Sequence, residues 1–394
     1  MEYIDLKTQQ ARIKANLDAR MAGVLAHGQY IMGPEVRELE NRLATFTGAT
    51  HCIGCASGTN ALELVFAAWG IGQGDAVFTS PLSFIATAET IAKTGATPVF
   101  VDIDPVTYNI DATQLDAAIR AVAAQNRSLH PLPRAAMERR LSPRAEVVVD
   151  LFGNPVDYDT ILSMARAHNL LVLEDGAQGF GGIYKGKKLC NCGCDAATTS
   201  FFPAKPLGCY GDGGAVFTND SELAALVDSL RYHGRIDAHN KNDNIRLGCN
   251  GRIDTLQAAI LLAKLDVFPE EVEARKAVGA RYTALLAPYA EKITTPVVTD
   301  GGSCIWAQYT VQLPEDSDRA AVMKAMKEKG IPTAVNYPKG MHTQGCLRHL
   351  GYTPHDFPRV QALCARVLSL PMHPYLTEVD QCAVVDALVS ACGV

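Results

Sequence analysis

The first two thirds of the chain alternate between short apolar runs and longer segments rich in alanine and leucine, and this alternation constrains the fold most. Apolar runs such as 76–81 and 97–103 are typical of buried strands, and a segment with helical character follows each. Strands that alternate with helices form a mainly parallel sheet with helices on both faces. We therefore predict an α/β chain with a large doubly wound domain over residues 1–265.

The pattern changes after about residue 265, where a charged amphipathic helix is predicted over residues 270–286. A strand and a second helix follow, so we predict a smaller α+β C-terminal domain over residues 266–394. Residues 128–144 interrupt the earlier alternation with three prolines and four arginines. We expect a surface loop or a helical insert there, without a function of its own.

Composition and charge exclude several classes of protein. The 394 residues are 48% hydrophobic and 20% charged, which is typical of a globular chain. The net charge of −6 does not provide the basic surface that nucleic-acid binders need. The sequence has no apolar run of the roughly 18 residues that span a membrane, and its start lacks the layout of a signal peptide. With twelve cysteines spread over so long a chain, we expect reduced thiols in the cytoplasm.

A small, glycine-containing turn, Ser57-Gly58-Thr59, lies between a short strand and an apolar helix. The start of a helix offers free backbone N–H groups and the positive end of the helix dipole, which together bind phosphate. Taken alone, the turn is more simply explained as an ordinary helix cap.

Asp175 stands at the end of the apolar run 170–173. Ligands of parallel sheets bind at the carboxyl ends of the strands. A buried carboxylate there needs a partner, and one candidate is the protonated ring nitrogen of pyridoxal 5'-phosphate (PLP). The alternative is an aspartate that caps the following turn.

Lys205 follows a β-rich run, and the turn Gly211-Asp-Gly-Gly214 returns the chain to a second such run. A lysine whose pKa is lowered by burial can bind a carbonyl cofactor covalently and transfer protons. Ser200 could add a hydroxyl to a phosphate site. The alternative for Lys205 is a surface lysine in a hairpin.

The order of these three features favours one cofactor. A phosphate-type helix start, then an aspartate at the end of a strand, then a lysine about thirty residues later is the arrangement that PLP enzymes with a doubly wound sheet require. Each feature alone is ambiguous, but their ordered combination predicts a PLP enzyme.

The chain resembles the DegT/DnrJ-type nucleotide-sugar aminotransferases, a family with the aspartate-aminotransferase-like fold, which is PLP fold type I. The resemblance covers nearly the whole chain and is densest before about residue 265. The motifs that carry it include Gly33-Pro-Glu-Val, Ser57-Gly-Thr-Asn-Ala-Leu62, Glu174-Asp-Gly-Ala-Gln178, Ser200-Phe-Phe-Pro-Ala-Lys205, Gly211-Asp-Gly-Gly214 and Asn250-Gly-Arg-Ile-Asp254.

The resemblance implies roles for individual residues. Lys205 would bind PLP and move a proton, and Asp175 would pair with the pyridine nitrogen. Gln178 would lie near the ring hydroxyl, and Phe84 would stack on the cofactor, although an ordinary core phenylalanine would look the same in the sequence. The implied phosphate ligands are Gly58, Thr59, Ser200 and, from the neighbouring subunit of a homodimer with shared active sites, Asn250.

The resemblance also implies a reaction. Relatives with histidine in place of Lys205 are sugar dehydratases, so the lysine implies transamination. The segment Tyr3-Ile-Asp-Leu-Lys and several others are most similar to the corresponding segments of one subgroup. Those enzymes use glutamate to aminate UDP-2-acetamido-2-deoxy-3-oxo-glucuronic acid for surface polysaccharide such as O-antigen. Arg252 and Arg235 are candidate partners for the carboxylate of that sugar, because a guanidinium binds carboxylates bidentately.

One departure from the family pattern leaves alternatives open. Asn336 stands where relatives usually carry histidine, and with Tyr337 it is expected to contact the sugar. Asparagine cannot carry charge, so a 4-keto sugar linked to UDP, GDP or dTDP is the first alternative substrate. A catalytically idle PLP-binding regulator is the second alternative, and the presence of Lys205, Asp175 and Asn250 argues against it.

Three closely spaced cysteines, Cys190, Cys192 and Cys194, suggest a metal site at first sight. They lack the second pair of ligands that structural zinc usually requires. We therefore expect no metal. From the net charge and the lack of a long apolar run, we also expect no nucleic acid and no membrane among the partners of this chain.

Overall fold

The structure, a computed structural model, describes residues 1–236 and 243–394. The strands in chain order are β1 (His51–Cys55), β2 (Asp75–Thr79), β3 (Thr97–Phe100), β4 (Ser142–Val149), β5 (Leu171–Asp175), β6 (Ile183–Tyr184), β7 (Lys187–Lys188), β8 (Ala196–Ser200), β9 (Gly214–Thr218), β10 (Gly302–Ser303), β11 (Tyr309–Gln312) and β12 (Val367–Leu370). The helices are α1 (Leu6–His27), α2 (Pro34–Thr47), α3 (Gly58–Ala68), α4 (Ala86–Lys93), α5 (Ala112–Ala124), α6 (Arg134–Glu138), α7 (Tyr158–Ala167), α8 (Ser221–Arg231), α9 (Thr255–Leu265), α10 (Phe268–Leu286), α11 (Arg319–Glu328), α12 (Pro358–Arg366) and α13 (Glu378–Cys392).

The central sheet has seven strands in the order β1-β9-β8-β5-β4-β2-β3. Strand β2 is parallel to β3 and β4, β4 is parallel to β5, and β5 is parallel to β8. Strand β9 runs antiparallel to both of its neighbours. This arrangement confirms the mainly parallel α/β sheet that the alternation of strands and helices predicts.

Helices cover both faces of the sheet because successive residues of a strand point to opposite sides. Phe78 of β2 packs into the apolar cluster under α5 and α7. Its neighbour Val77 packs into the cluster on the opposite face, under α3 and α8. Strands that are buried on both faces carry the continuous apolar runs seen in the sequence.

The C-terminal part forms a separate apolar cluster around the antiparallel pair β11 and β12, packed by α10, α11 and α13. Residues before α1 are bound to this part, since the Met372 N–H donates to the Tyr3 carbonyl at 3.1 Å. The division into domains 1–265 and 266–394 stays a prediction. Within the described residues, every helix is too short or too polar to cross a membrane.

Two local predictions need correction. The helix expected over 84–94 begins only at Ala86, so Phe84 precedes it. The segment 128–144 contains the short helix α6, as the helical alternative predicted. It is not confined to the surface, because Leu132 and Leu141 are buried in the cluster under α5 and α7. Its last residues, from Ser142 onward, already belong to β4. Because prolines and arginines dominate this segment, the burial of Leu132 and Leu141 was not predicted.

Candidate active site

The predicted site residues meet at one edge of the central sheet. Asp175 ends β5, Ser200 ends β8, and Gly214 begins β9 directly opposite Ser200. Gly214 also pairs with Cys55, the last residue of β1, which leads into the start of α3. Three segments that are far apart in the sequence are therefore neighbours at the ends of the strands.

The start of α3 forms a cradle that suits a phosphate. The Ser57 hydroxyl accepts from the Asn60 N–H at 3.1 Å, so the ordinary cap considered above is present. It leaves the N–H groups of Gly58 and Thr59 without a partner inside the helix. A side chain cannot replace Gly58, because an added Cβ would lie 2.6 Å from the Ser200 Cβ. Backbone N–H groups and a serine hydroxyl thus lie within one narrow turn, as an anion requires.

Asp175 is only 6% exposed and is held on both oxygens. Its Oδ2 accepts from the Thr87 hydroxyl at 2.8 Å, and its Oδ1 accepts from the Ala177 N–H at 3.3 Å. Burial raises the pKa of Asp175 above its ordinary value, while the Thr87 hydrogen bond and the charge of Lys205 oppose that rise. A cationic partner such as a protonated ring nitrogen would favour the ionised carboxylate.

Lys205 lies in the loop after β8 and is half-buried rather than fully exposed. Its backbone N–H donates to the Phe202 carbonyl at 2.8 Å, which fixes the turn. Burial lowers the pKa of Lys205, and the nearby charge of Asp175 partly offsets this. A lysine with a lowered pKa presents a neutral amine more readily, which both covalent binding and proton transfer require.

Gln178 connects the site to the C-terminal part. Its Oε1 accepts from the Phe152 N–H at 2.7 Å, and its Nε2 donates to the Tyr337 hydroxyl at 3.3 Å. Burial raises the pKa of Tyr337, and the charge of Asp175 raises it further. Phe84 is 56% exposed, so it is not the core phenylalanine that the sequence left open.

The two arginines expected near a substrate carboxylate lie together on one aromatic ring. The Cζ atoms of Arg235 and Arg252 are 5.1 and 5.0 Å from the ring centre of Tyr232. Arg252 also donates to the side chain of Asn250, which is exposed. This segment runs beside the start of α3, but no hydrogen bond among the described residues joins either arginine to Lys205 or Asp175.

The Asn336 side chain forms a hydrogen bond within the protein. Its Nδ2 donates to the Ser369 hydroxyl at 3.1 Å, and the Thr310 and Ser369 hydroxyls are 2.8 Å apart. Both of these hydroxyl residues are buried. Tyr337 therefore contacts Gln178, whereas its neighbour Asn336 is bonded to β12.

Sequence reasoning missed three contributors to this site. Thr87 lies on α4, within the motif Ala86-Thr-Ala-Glu89, but nothing in the sequence pairs it with Asp175. The Tyr232 ring and the Phe152 N–H were likewise not predicted. The left-handed φ of 59° at Phe152 aims its N–H at Gln178, and no residue type marks such a turn.

The chain is similar to several known proteins. The DegT/DnrJ/EryC1/StrS aminotransferase family matches residues 11–389 of the chain. The UDP-2-acetamido-2-deoxy-3-oxo-D-glucuronate aminotransferase of Pseudomonas aeruginosa is 46% identical over 376 residues, which cover 95% of this chain and 96% of that protein. The pleiotropic regulatory protein of Geobacillus stearothermophilus is 38% identical over 386 residues, which cover 98% and 96%.

A solved structure shows the same architecture. The crystal structure of a DegT DnrJ EryC1 StrS aminotransferase from Brucella abortus superposes with a TM-score of 0.90 and is 41% identical in sequence. The match covers 100% of both chains.

Proposed function

Because the chain belongs to the DegT/DnrJ/EryC1/StrS aminotransferase family, whose members depend on PLP, we propose that it transfers the amino group of glutamate to UDP-2-acetamido-2-deoxy-3-oxo-glucuronic acid. The chain is a PLP-dependent sugar aminotransferase, and the proposal concerns its donor, its acceptor and the roles of its residues. The observation that carries it is the convergence of Lys205, buried Asp175 and the cradle between Gly58 and Ser200.

The residues present fit PLP, and each has a defined task. When bound, PLP supplies an electron-withdrawing ring that stabilises negative charge on the carbon next to nitrogen. Asp175, fixed by Thr87, holds the protonated ring nitrogen in this proposal. The N–H groups of Gly58 and Thr59 bind the phosphate together with the Ser200 hydroxyl.

Lys205 Nζ moves the proton in this proposal. The carbon that gives up the amino group must lose a proton, and the carbon that receives it must gain one. Burial favours the neutral form of Lys205, which can accept that proton. Exposed Phe84 provides a flat surface that can cover the cofactor ring and exclude water.

In this proposal Arg235 and Arg252 bind the acceptor sugar, and we call their surroundings the acceptor side. The guanidinium Cζ atoms lie 5.1 and 5.0 Å from the centre of the Tyr232 ring. They concentrate positive charge there, which a bound carboxylate would offset. A uronic acid has such a carboxylate, whereas a neutral 4-keto sugar does not. Tyr337 would contact the sugar near the cofactor, and Asn336 would help to position that contact.

We also propose a homodimer with shared active sites, in the cytoplasm and in the synthesis of surface polysaccharide. Exposed Asn250 is available to reach the phosphate of a neighbouring subunit. Leu247, near it in the chain, is 97% exposed, as expected for a residue that a second subunit covers.

The decisive experiment adds glutamate to purified, PLP-loaded protein and follows the visible absorbance. We expect the band of bound pyridoxal to bleach while the band of the pyridoxamine form grows, and the acceptor sugar to reverse the change. A PLP-bound protein that is indifferent to glutamate would contradict the proposed donor.

A further inference from the structure

Two fully buried carboxyl groups lie behind the cofactor side of the sheet. Glu174 is the neighbour of Asp175 on β5, so its side chain points to the opposite face of the sheet. Asp150 follows the last residue of the adjacent strand β4, and both acids are 0% exposed. Burying one ionised carboxylate is costly, and burying two side by side is worse.

Their contacts are all with neutral groups. The Tyr158 hydroxyl contacts both oxygens of Asp150 at 2.9 Å, and the Val156 N–H donates to Asp150 Oδ1 at 3.2 Å. Glu174 Oε1 accepts from the Cys190 N–H at 2.5 Å. Glu174 Oε2 is buried without a hydrogen-bond partner, and no ion pair among the described residues includes either acid. The side chains of Asp150 and Glu174 are within hydrogen-bonding reach of each other. One proton held between the two carboxyl groups would therefore remove one of the two charges.

We propose that Asp150 and Glu174 share one proton and act as a positioning pair for Gln178 and, through it, for Tyr337 at the cofactor site. The inference depends on the proposed placement of Gln178 beside the cofactor.

The connection from the pair to Gln178 is short. The Asp150 carbonyl accepts from the Gly153 N–H at 3.0 Å, which closes the turn that contains Phe152. The Phe152 N–H in turn donates to Gln178 Oε1. Gly179 packs directly on Asp150, since an added Cβ there would lie 2.7 Å from Asp150 Oδ2. A displaced Asp150 would therefore move the Phe152 N–H that holds the Gln178 side chain and also Gly179, the next residue in the chain.

The protonation of the pair is consistent with its surroundings. Burial, followed by the charge of Glu174, raises the pKa of Asp150 well above its ordinary value. Burial raises the pKa of Glu174 to about 7, and the Cys190 N–H is the strongest influence opposing that rise. The other titratable groups that face the pair are neutral when protonated, and burial raises the pKa of each, so they stay neutral: Tyr158, Cys190, Cys192, Cys194 and Cys304.

Three variants test the proposal. Glu174→Gln keeps a hydrogen-bond donor at the shared position, whereas Glu174→Ala removes it. Glu146→Gln is the matched control, since Glu146 is a fully buried acid on β4 whose two oxygens have no hydrogen-bond partner in the described structure. PLP affinity and the pH dependence of the absorbance of bound PLP are measured for each variant, without glutamate.

We expect Glu174→Ala to weaken PLP binding by about tenfold, the effect of losing one hydrogen bond to a charged group, and to displace the absorbance titration. Glu174→Gln and Glu146→Gln should leave both close to wild type. Equal damage from Glu174→Gln and Glu174→Ala would overturn the shared proton, and an effect of Glu174→Ala no larger than that of Glu146→Gln would overturn the positioning role.

Unfolding of the PLP-free protein gives a second readout. The native pair has raised pKa values, so its contribution to stability is full at acidic pH and is lost as pH rises toward about 7. Glu174→Gln should therefore lose stability less steeply than wild type between about pH 5 and 7. Parallel curves would contradict the shared proton. Gln178→Ala tests the placement of Gln178 separately, because it leaves the acid pair intact.

Discussion

The cofactor side and the acceptor side of this site are built from different kinds of structure. Asp175 and Ser200 end strands of one sheet, and Gly58 begins a helix directly after another strand. The acceptor side uses Arg235 and Arg252, which lie outside the named helices and strands and meet on the Tyr232 ring. Under the proposed function, the chemistry thus rests on a rigid sheet, while the choice of substrate rests on connecting segments.

The two sides should also differ in how substitutions affect the reaction. Substitutions on the cofactor side disturb close-packed groups, such as Gly58 against Ser200, and act on both halves of the reaction. Substitutions on the acceptor side should act on the sugar alone. The predictions below therefore measure either the binding of PLP or the glutamate and sugar half-reactions separately.

The largest effect is expected for Lys205→Ala. Without the amine, turnover should fall by about 10²- to 10⁴-fold, the usual contribution of a positioned acid–base group, in both half-reactions. Stopped-flow absorbance measures each half separately. Lys188→Ala is the control, because burial also lowers the pKa of Lys188, which lies on β7 outside the site. Loss in one half-reaction only would contradict the proposed role.

Gly58→Ala tests the cradle on the cofactor side. The new methyl group would approach the Ser200 Cβ to 2.6 Å, so the turn must shift. Overpacking of this kind costs about 1–3 kcal/mol, and we expect PLP affinity to fall by about 10- to 100-fold. Gly72→Ala is the control, since its added Cβ would lie 3.7 Å from the nearest atom. Equal affinities of the two variants would show that the cradle does not bind the phosphate.

Arg252→Ala tests the acceptor side. Loss of one charged hydrogen bond should lower kcat/KM for the uronic acid acceptor by about 10- to 100-fold and leave the glutamate half-reaction unchanged. Arg252→Lys retains the charge but not the bidentate geometry, so an intermediate loss is expected. An acceptor without the carboxylate should respond little to either substitution. A comparable loss with that acceptor would assign Arg252 to another group of the substrate.

Asn336→His should have the smallest effect. The amide donates one neutral hydrogen bond, to Ser369, and histidine can donate one there as well. We expect KM for the sugar to change by about two- to tenfold, without a change in the glutamate half-reaction. Steady-state kinetics with both substrates measures this. A changed glutamate half-reaction would place Asn336 on the cofactor side instead.

Much of the fold followed from local patterns. The apolar runs predicted β2, β3, β4 and β5, because a strand buried on both faces must be apolar throughout. The segment 128–144 was partly misjudged, since its prolines outweighed the isolated leucines that pack into the core. The positions of Lys205 and Asp175 at the site were predictable, because parallel strands end at a common edge.

The sequence by itself determined the layered α/β fold and the order of helix start, aspartate and lysine, because periodicity and chain order are local properties. Only the tertiary structure decided which groups support them. Thr87 reaches Asp175 across 88 positions, and Tyr337 reaches Gln178 across 159. Such contacts depend on how helices and sheets pack in three dimensions, and neither propensity nor spacing along the chain encodes that packing.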